Sequence, residues 1–145
     1  MPVTSAHVGD RDSSEWRRFS DVSVERTMLL ALESRLGFLL RPRSLVLTQG
    51  SRVEVEGIDA DDRVVVQLVA NQGGYKPAYR NKVMSDMFKL LWLRNAIPTA
   101  ERAILVVTAV TVQALSGWVA VAAADLGVEV YLFDGESVIP LTAES

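Results

Sequence analysis

Apolar residues first recur at helical spacing. Val24, Met28, Leu29, Leu32 and Leu36 share one face, with Ser23 before them as an N-cap and Gly37 after them as a stop. A helix is therefore predicted between those two residues. Residues 41–44 carry a proline and interrupt the pattern. Strand signals follow at 45–47, 52–58 and 63–70. The last two flank the tight turn Asp59-Ala60-Asp61-Asp62, which makes them antiparallel neighbours. The run from Val64 to Ala70 is apolar on both pleat faces except at Gln67, the mark of a central strand covered on both sides.

After a loop holding Gly73 and Gly74, the period returns to helical over 78–94. Val83, Met84, Met87, Phe88, Leu90 and Leu91 make a broad apolar face; Lys82, Ser85, Asp86 and Lys89 make a narrower polar one. A strand at 102–109, a helix at 112–126 and a strand at 128–133 complete the pattern. Trp118, in that helix, is expected to pack against the last strand. Strand, helix and strand of these lengths imply right-handed crossovers and parallel pairing. The expectation is a single α/β domain over 23–136 in the order αβββαβαβ, with a mixed central sheet flanked by helices. Residues 1–22, rich in Ser, Asp and Arg, read as a flexible N-terminal tail, and 137–145 as a C-terminal tail.

Composition narrows the chemistry. With 145 residues, 49% hydrophobic and 23% charged, the chain can close one sizeable core. It has no cysteine and one histidine, which excludes disulfides, thiolate metal sites, multi-histidine metal sites and a Ser-His-Asp triad. A net charge of −3 gives no global attraction to nucleic acid, so a polyanion would need a local basic region. The first residues lack a signal-peptide core, and the longest apolar run, near Val119 to Ala124, is too short to span a bilayer. A cytoplasmic protein with no membrane role is expected. The Ala- and Val-rich third helix reads as core or as a contact between copies.

The polar residues out of place are the candidates for chemistry. Glu56 lies at the end of one strand and Gln67 inside the next. A primary amide within VVVQLVA is costly to bury without partners. It reads either as a hydrogen-bonded core glutamine or as a site position whose useful version is acidic. Glu56, facing it across the strand pair, could help hold a hard divalent cation. Lys82, Asp86 and Lys89 line one helical stripe, which is either a solvated face or the wall of that site. Glu25, in the first turn of the first helix, is either a helix-dipole contact or an added carboxylate. Lys76 and Arg80, interleaved with Tyr75 and Tyr79, form the only basic and aromatic cluster, a modest nucleic-acid signal.

Together the segments VEVEGID, VVVQLVANQGGYK and NKVMSDMFKLLWL, with the tail WVAVAAADLGVEVYLFD, resemble the PD-(D/E)XK nuclease superfamily, and within it small bacterial nuclease-like proteins. The resemblance runs from Ser23 to Asp134. It implies a restriction-endonuclease-like fold. It also implies Glu56 as first metal-binding acid, Gln67 in place of the second acid, and Val69 in place of the catalytic lysine. Lys82 would stand in for that lysine, and Glu25 and Asp86 would complete a Mg²⁺ site. A neutral amide at Gln67 removes one charge from a site built for Mg²⁺. The implied function is a catalytically impaired nuclease-fold protein in DNA processing or defence. It would bind DNA or RNA through Lys76, Arg80, Lys82 and Lys89, or a protein partner. The alternatives are an active Mg²⁺-dependent nuclease using Glu25, Glu56 and Lys82, or an oligomerisation module forming a homo-oligomer.

Overall fold

The computed structural model describes residues 15–47 and 49–141. Helix α1 spans Val24–Leu36. The Ser23 hydroxyl accepts from Arg26 N at 3.2 Å, and Gly37 closes the helix at φ +87°, a left-handed conformation a side chain would strain. The strands are β1 Arg41–Val46, β2 Arg52–Ile58, β3 Val64–Val69, β4 Arg102–Thr108, β5 Val128–Phe133 and β6 Val138–Pro140. Helix α2 spans Ala78–Ala96 and α3 spans Trp118–Asp125, with a 3₁₀ turn at Ala109–Ala114 before α3.

Among the described residues the strands form one sheet in the order β1-β2-β3-β4-β5-β6. Pairs β1/β2, β2/β3 and β5/β6 are antiparallel, and β3/β4 and β4/β5 are parallel. The molecule is thus a single-domain α/β protein with an open mixed sheet. The sheet divides two cores. Val65, Val69, Leu105 and Val107 face α2 and α3, while Val66, Leu68, Ile104 and Val106 face α1. Every residue of β3 is buried, as expected for a central strand.

Several expectations need correction. β1 begins at Arg41 and includes Pro42. An edge strand accepts this residue because the missing N–H need not serve a second neighbour. The single helix expected over 112–126 is a 3₁₀ turn and a short α-helix, separated at Gly117, whose φ of +60° breaks the helical path. Trp118 does not pack against β5; it is 66% exposed. Phe88, counted in the apolar face of α2, is 77% exposed, whereas Asp86, counted in the polar face, is buried. The order αβββαβαβ gains a sixth strand, since Leu132 pairs with Ile139 and Phe133 with Val138 in the segment read as a tail. Within the stretch read as the N-terminal tail, Trp16 and Phe19 are buried in the α1-side core; residues 1–14 lie outside the described ones.

Candidate functional site

The site begins as a fault in strand pairing. In the β1/β2 ladder Arg41 faces Ile58 and Arg43 faces Val55, so Glu56 and Gly57 together oppose Pro42. This is a β-bulge, a device that re-aims the bulged side chain. Val55 and Ile58 both join the α2-side core although they are three residues apart. Gly57 instead faces α1, where a Cβ would lie 2.6 Å from Leu29 Cδ1 and 3.0 Å from Val66 Cβ. The β2/β3 ladder holds Ile58↔Val65 and Gly57↔Val66, and its register stops there. Beyond that point backbone groups need other partners. The Glu56 side chain takes the place of one: its Oε1 accepts from Leu68 N at 2.6 Å. Gln67 answers from β3, its Oε1 accepting from Glu56 N at 3.2 Å.

Helix α2 closes the other side. Gln67 Nε2 donates to Asp86 Oδ1 at 3.4 Å, and Lys82 Nζ lies 2.9 Å from Asp86 Oδ2, one turn away. That last contact is an ion pair by distance without hydrogen-bond alignment, and among the described residues Oδ2 has no hydrogen-bond donor. From the outer side Arg18 donates to Glu56 Oε2 at 3.0 Å. The result is a continuous chain: Arg18, Glu56, Gln67, Asp86, Lys82. Its three central members are buried, at 8%, 2% and 5% exposure, and its two cations reach solvent.

Burial is the main force on Glu56, and it raises the carboxyl above its ordinary value of 4.5. The Leu68 N–H opposes that rise, Asp86 reinforces it, and Lys82 and Arg18 oppose it more weakly. Two buried carboxylates so close are tolerable because each meets one cation and the amide between them separates their charges.

The arrangement brings together Glu56, Gln67, Lys82 and Asp86, four of the residues singled out from the sequence. Glu25 is half-buried on α1, and no hydrogen bond or ion pair among the described residues joins it to this chain. Lys76 is exposed, Lys89 is half-exposed, and Arg80 donates to Ser116 Oγ at 3.2 Å and to Ser116 O at 3.4 Å. Val69 is buried against α2. Arg18 went unrecognised because it falls in a stretch read as a tail. Its signal was the cluster Trp16-Arg17-Arg18-Phe19, two aromatics around two arginines in an otherwise polar segment.

A divalent cation does not fit these residues. Both Glu56 oxygens already accept, one from a backbone N–H and one from a guanidinium. The Gln67 amide turns its NH₂, a donor, toward Asp86, while its oxygen faces Glu56 N. Among the described residues no group of three or more acidic, histidine or cysteine side chains is placed to hold a metal. No family model matches the chain, and no curated protein or solved structure matches it either.

Proposed function

We propose that this chain is a restriction-endonuclease-like protein whose metal site has become a closed polar network, and that it acts by binding nucleic acid without cutting it. The observation that carries the first half is the Gln67 amide, which accepts from Glu56 N and donates to Asp86. A carboxylate there would accept only, and would face Asp86 with like charge. The residue that departs from the nuclease pattern is thus the one best suited to the network it occupies. The second half is supported by the cations at the rim of the network, Arg18 and Lys82, with side chains 60% and 45% exposed, and by Lys76, exposed in the loop before α2, and Lys89, half-exposed on α2. On a chain of net charge −3 they form a local basic region.

Calorimetry with Mn²⁺ should give no binding heat for the native protein. A single-stranded oligonucleotide should bind with salt-sensitive affinity, weakened by Lys89→Gln and by Lys82→Gln. Mn²⁺-dependent cleavage by the native protein, abolished by Glu56→Ala, would overturn the proposal. Gln67→Glu puts a third carboxylate into the network. It should cost about 3 kcal/mol of stability in urea unfolding, on the scale of an uncompensated buried charge. Added Mn²⁺ should restore part of that loss; a variant as stable as the native chain and indifferent to Mn²⁺ would remove the role given to the amide.

A further inference from the structure

On the α1 side of the network lies a cleft of about 420 Å³ between residues 16–21 and the first turns of α1. Arg17, Arg18 and Arg26 line it, with Asp21 as the one carboxylate and Trp16 and Phe19 in its walls. Three guanidinium groups around one cavity offer the planar, forked donors that suit a phosphate.

The cleft is built on buried anchors. Trp16 and Phe19 are 2% and 3% exposed. Trp16 is held between two guanidiniums, Arg26 at 4.4 Å and Arg41 at 4.2 Å from the ring centre, and Arg41 is itself paired with Glu15 and Glu33. Arg17 has a φ of +56°, a conformation uncommon for a residue with a side chain. The two neighbouring arginines reach different acids of β2: Arg17 lies 3.4 Å from Glu54 and Arg18 lies 3.0 Å from Glu56. Both guanidinium side chains stay substantially exposed, at 42% and 60%. The Arg17–Glu54 pair, exposed on both sides, is weak and exchanges readily for a stronger anion, whereas Arg18 spends one N–H on the buried Glu56 and has others to offer.

We propose that this cleft binds a phosphate group, and that the phosphate belongs to the backbone of the nucleic acid inferred above, on which reading this inference rests. Arg17 would turn from Glu54 to the phosphate, and Arg18 would keep its contact with Glu56 while its remaining N–H groups meet the phosphate, with Arg26 at the far wall. Because Arg18 touches Glu56, and Lys82 closes the opposite end of the same chain of contacts, a strand crossing the site meets cations at both ends.

The test uses the full chain, a single-stranded oligonucleotide and pyrophosphate as probes, and the variants Arg17→Gly and Arg18→Lys. Glycine suits a positive φ, so Arg17→Gly removes the guanidinium while relieving the backbone, and its folding is checked by a thermal melt. Arg18→Lys keeps the charge and loses the fork. Each variant should weaken oligonucleotide binding about tenfold, the worth of one charge-assisted hydrogen bond. Arg17→Gly should also lower the slope of log affinity against log salt by about 0.7, one single-strand phosphate contact. Oligonucleotide binding that Lys89→Gln weakens while both arginine variants leave affinity and slope unchanged would overturn the cleft and spare the reading above. Pyrophosphate binding abolished in Arg17→Gly, with no oligonucleotide bound by the native chain, would sustain the phosphate cleft and overturn nucleic acid as its source. If neither probe binds the native protein, both fall.

Discussion

At the scale of single residues, the site is a problem of donors and acceptors. Glu56 N and Leu68 N lie just past the end of the β2/β3 register, and side-chain oxygens of Gln67 and Glu56 satisfy them. Glu56 therefore does structural work that needs an acceptor, while burial disfavours its charge. Folding raises the pKa of this group, so the native chain keeps the proton in a pH window where the unfolded chain has lost it. Its contribution to stability is full below the ordinary value of 4.5 and drains away as pH climbs through the raised one. Glu56→Gln keeps an acceptor for Leu68 N and removes the titration. Urea midpoints measured from pH 4.5 to neutrality should fall less steeply with pH in that variant than in the native protein. Equal slopes would mean that the native pH dependence arises elsewhere.

At the scale of elements, the bulge in β2 decides where its side chains go. Strict alternation from Glu54 would put Glu56 on the same pleat face. The extra residue opposite Pro42 breaks that alternation: Glu54 meets Arg17 with its side chain 44% exposed, while Glu56 turns toward β3 and is buried. Gly57 completes the device, because α1 lies directly over it. Gly57→Ala puts a methyl group 2.6 Å from Leu29 Cδ1 and 3.0 Å from Val66 Cβ. Leu29 is fully buried, so it has little room to move. The expected loss is about 1–3 kcal/mol in urea unfolding, typical of an overpacked core. A variant matching native stability would show that α1 can shift off β2 without cost. Helix α2 carries the same lesson about faces. A wheel drawn from hydrophobicity alone put Phe88 on the core face, where it is exposed, and Asp86 on the polar stripe, read as a solvated face or a site wall, where it is buried. Asp86 is buried because Gln67 and Lys82 give it partners, which no count along one helix reveals.

At the scale of the whole molecule, the domain extends beyond both ends assigned to it from the pattern. Trp16 and Phe19 contribute to the α1-side core, together with Val138 of β6. The first segment looked like a tail because it is mostly polar, and the last because it is short. Trp16→Ala should cost about 3–5 kcal/mol, the usual range for emptying a buried aromatic site, read as a lower thermal or urea midpoint. A loss within 0.5 kcal/mol would mean that residues 15–22 lie loosely on the sheet. Among the described residues no helix is long and apolar enough to cross a membrane.

What the sequence determined by itself was the local order: a capped α1, strands β2 and β5 with the observed bounds, a central β3, and the start of α2 at Ala78. These follow from periodicity, caps and turn chemistry, which act over a few residues. It also marked Glu56 and Gln67 as polar groups out of place. Only the tertiary structure decided what they are for. The bulge depends on the pairing of β1 with β2, the direction of the Gln67 amide on Asp86 of α2, and the neutralisation of Glu56 on Arg18, 38 residues away. A buried polar group is settled by the partners that reach it, and those partners come together only when distant parts of the chain meet.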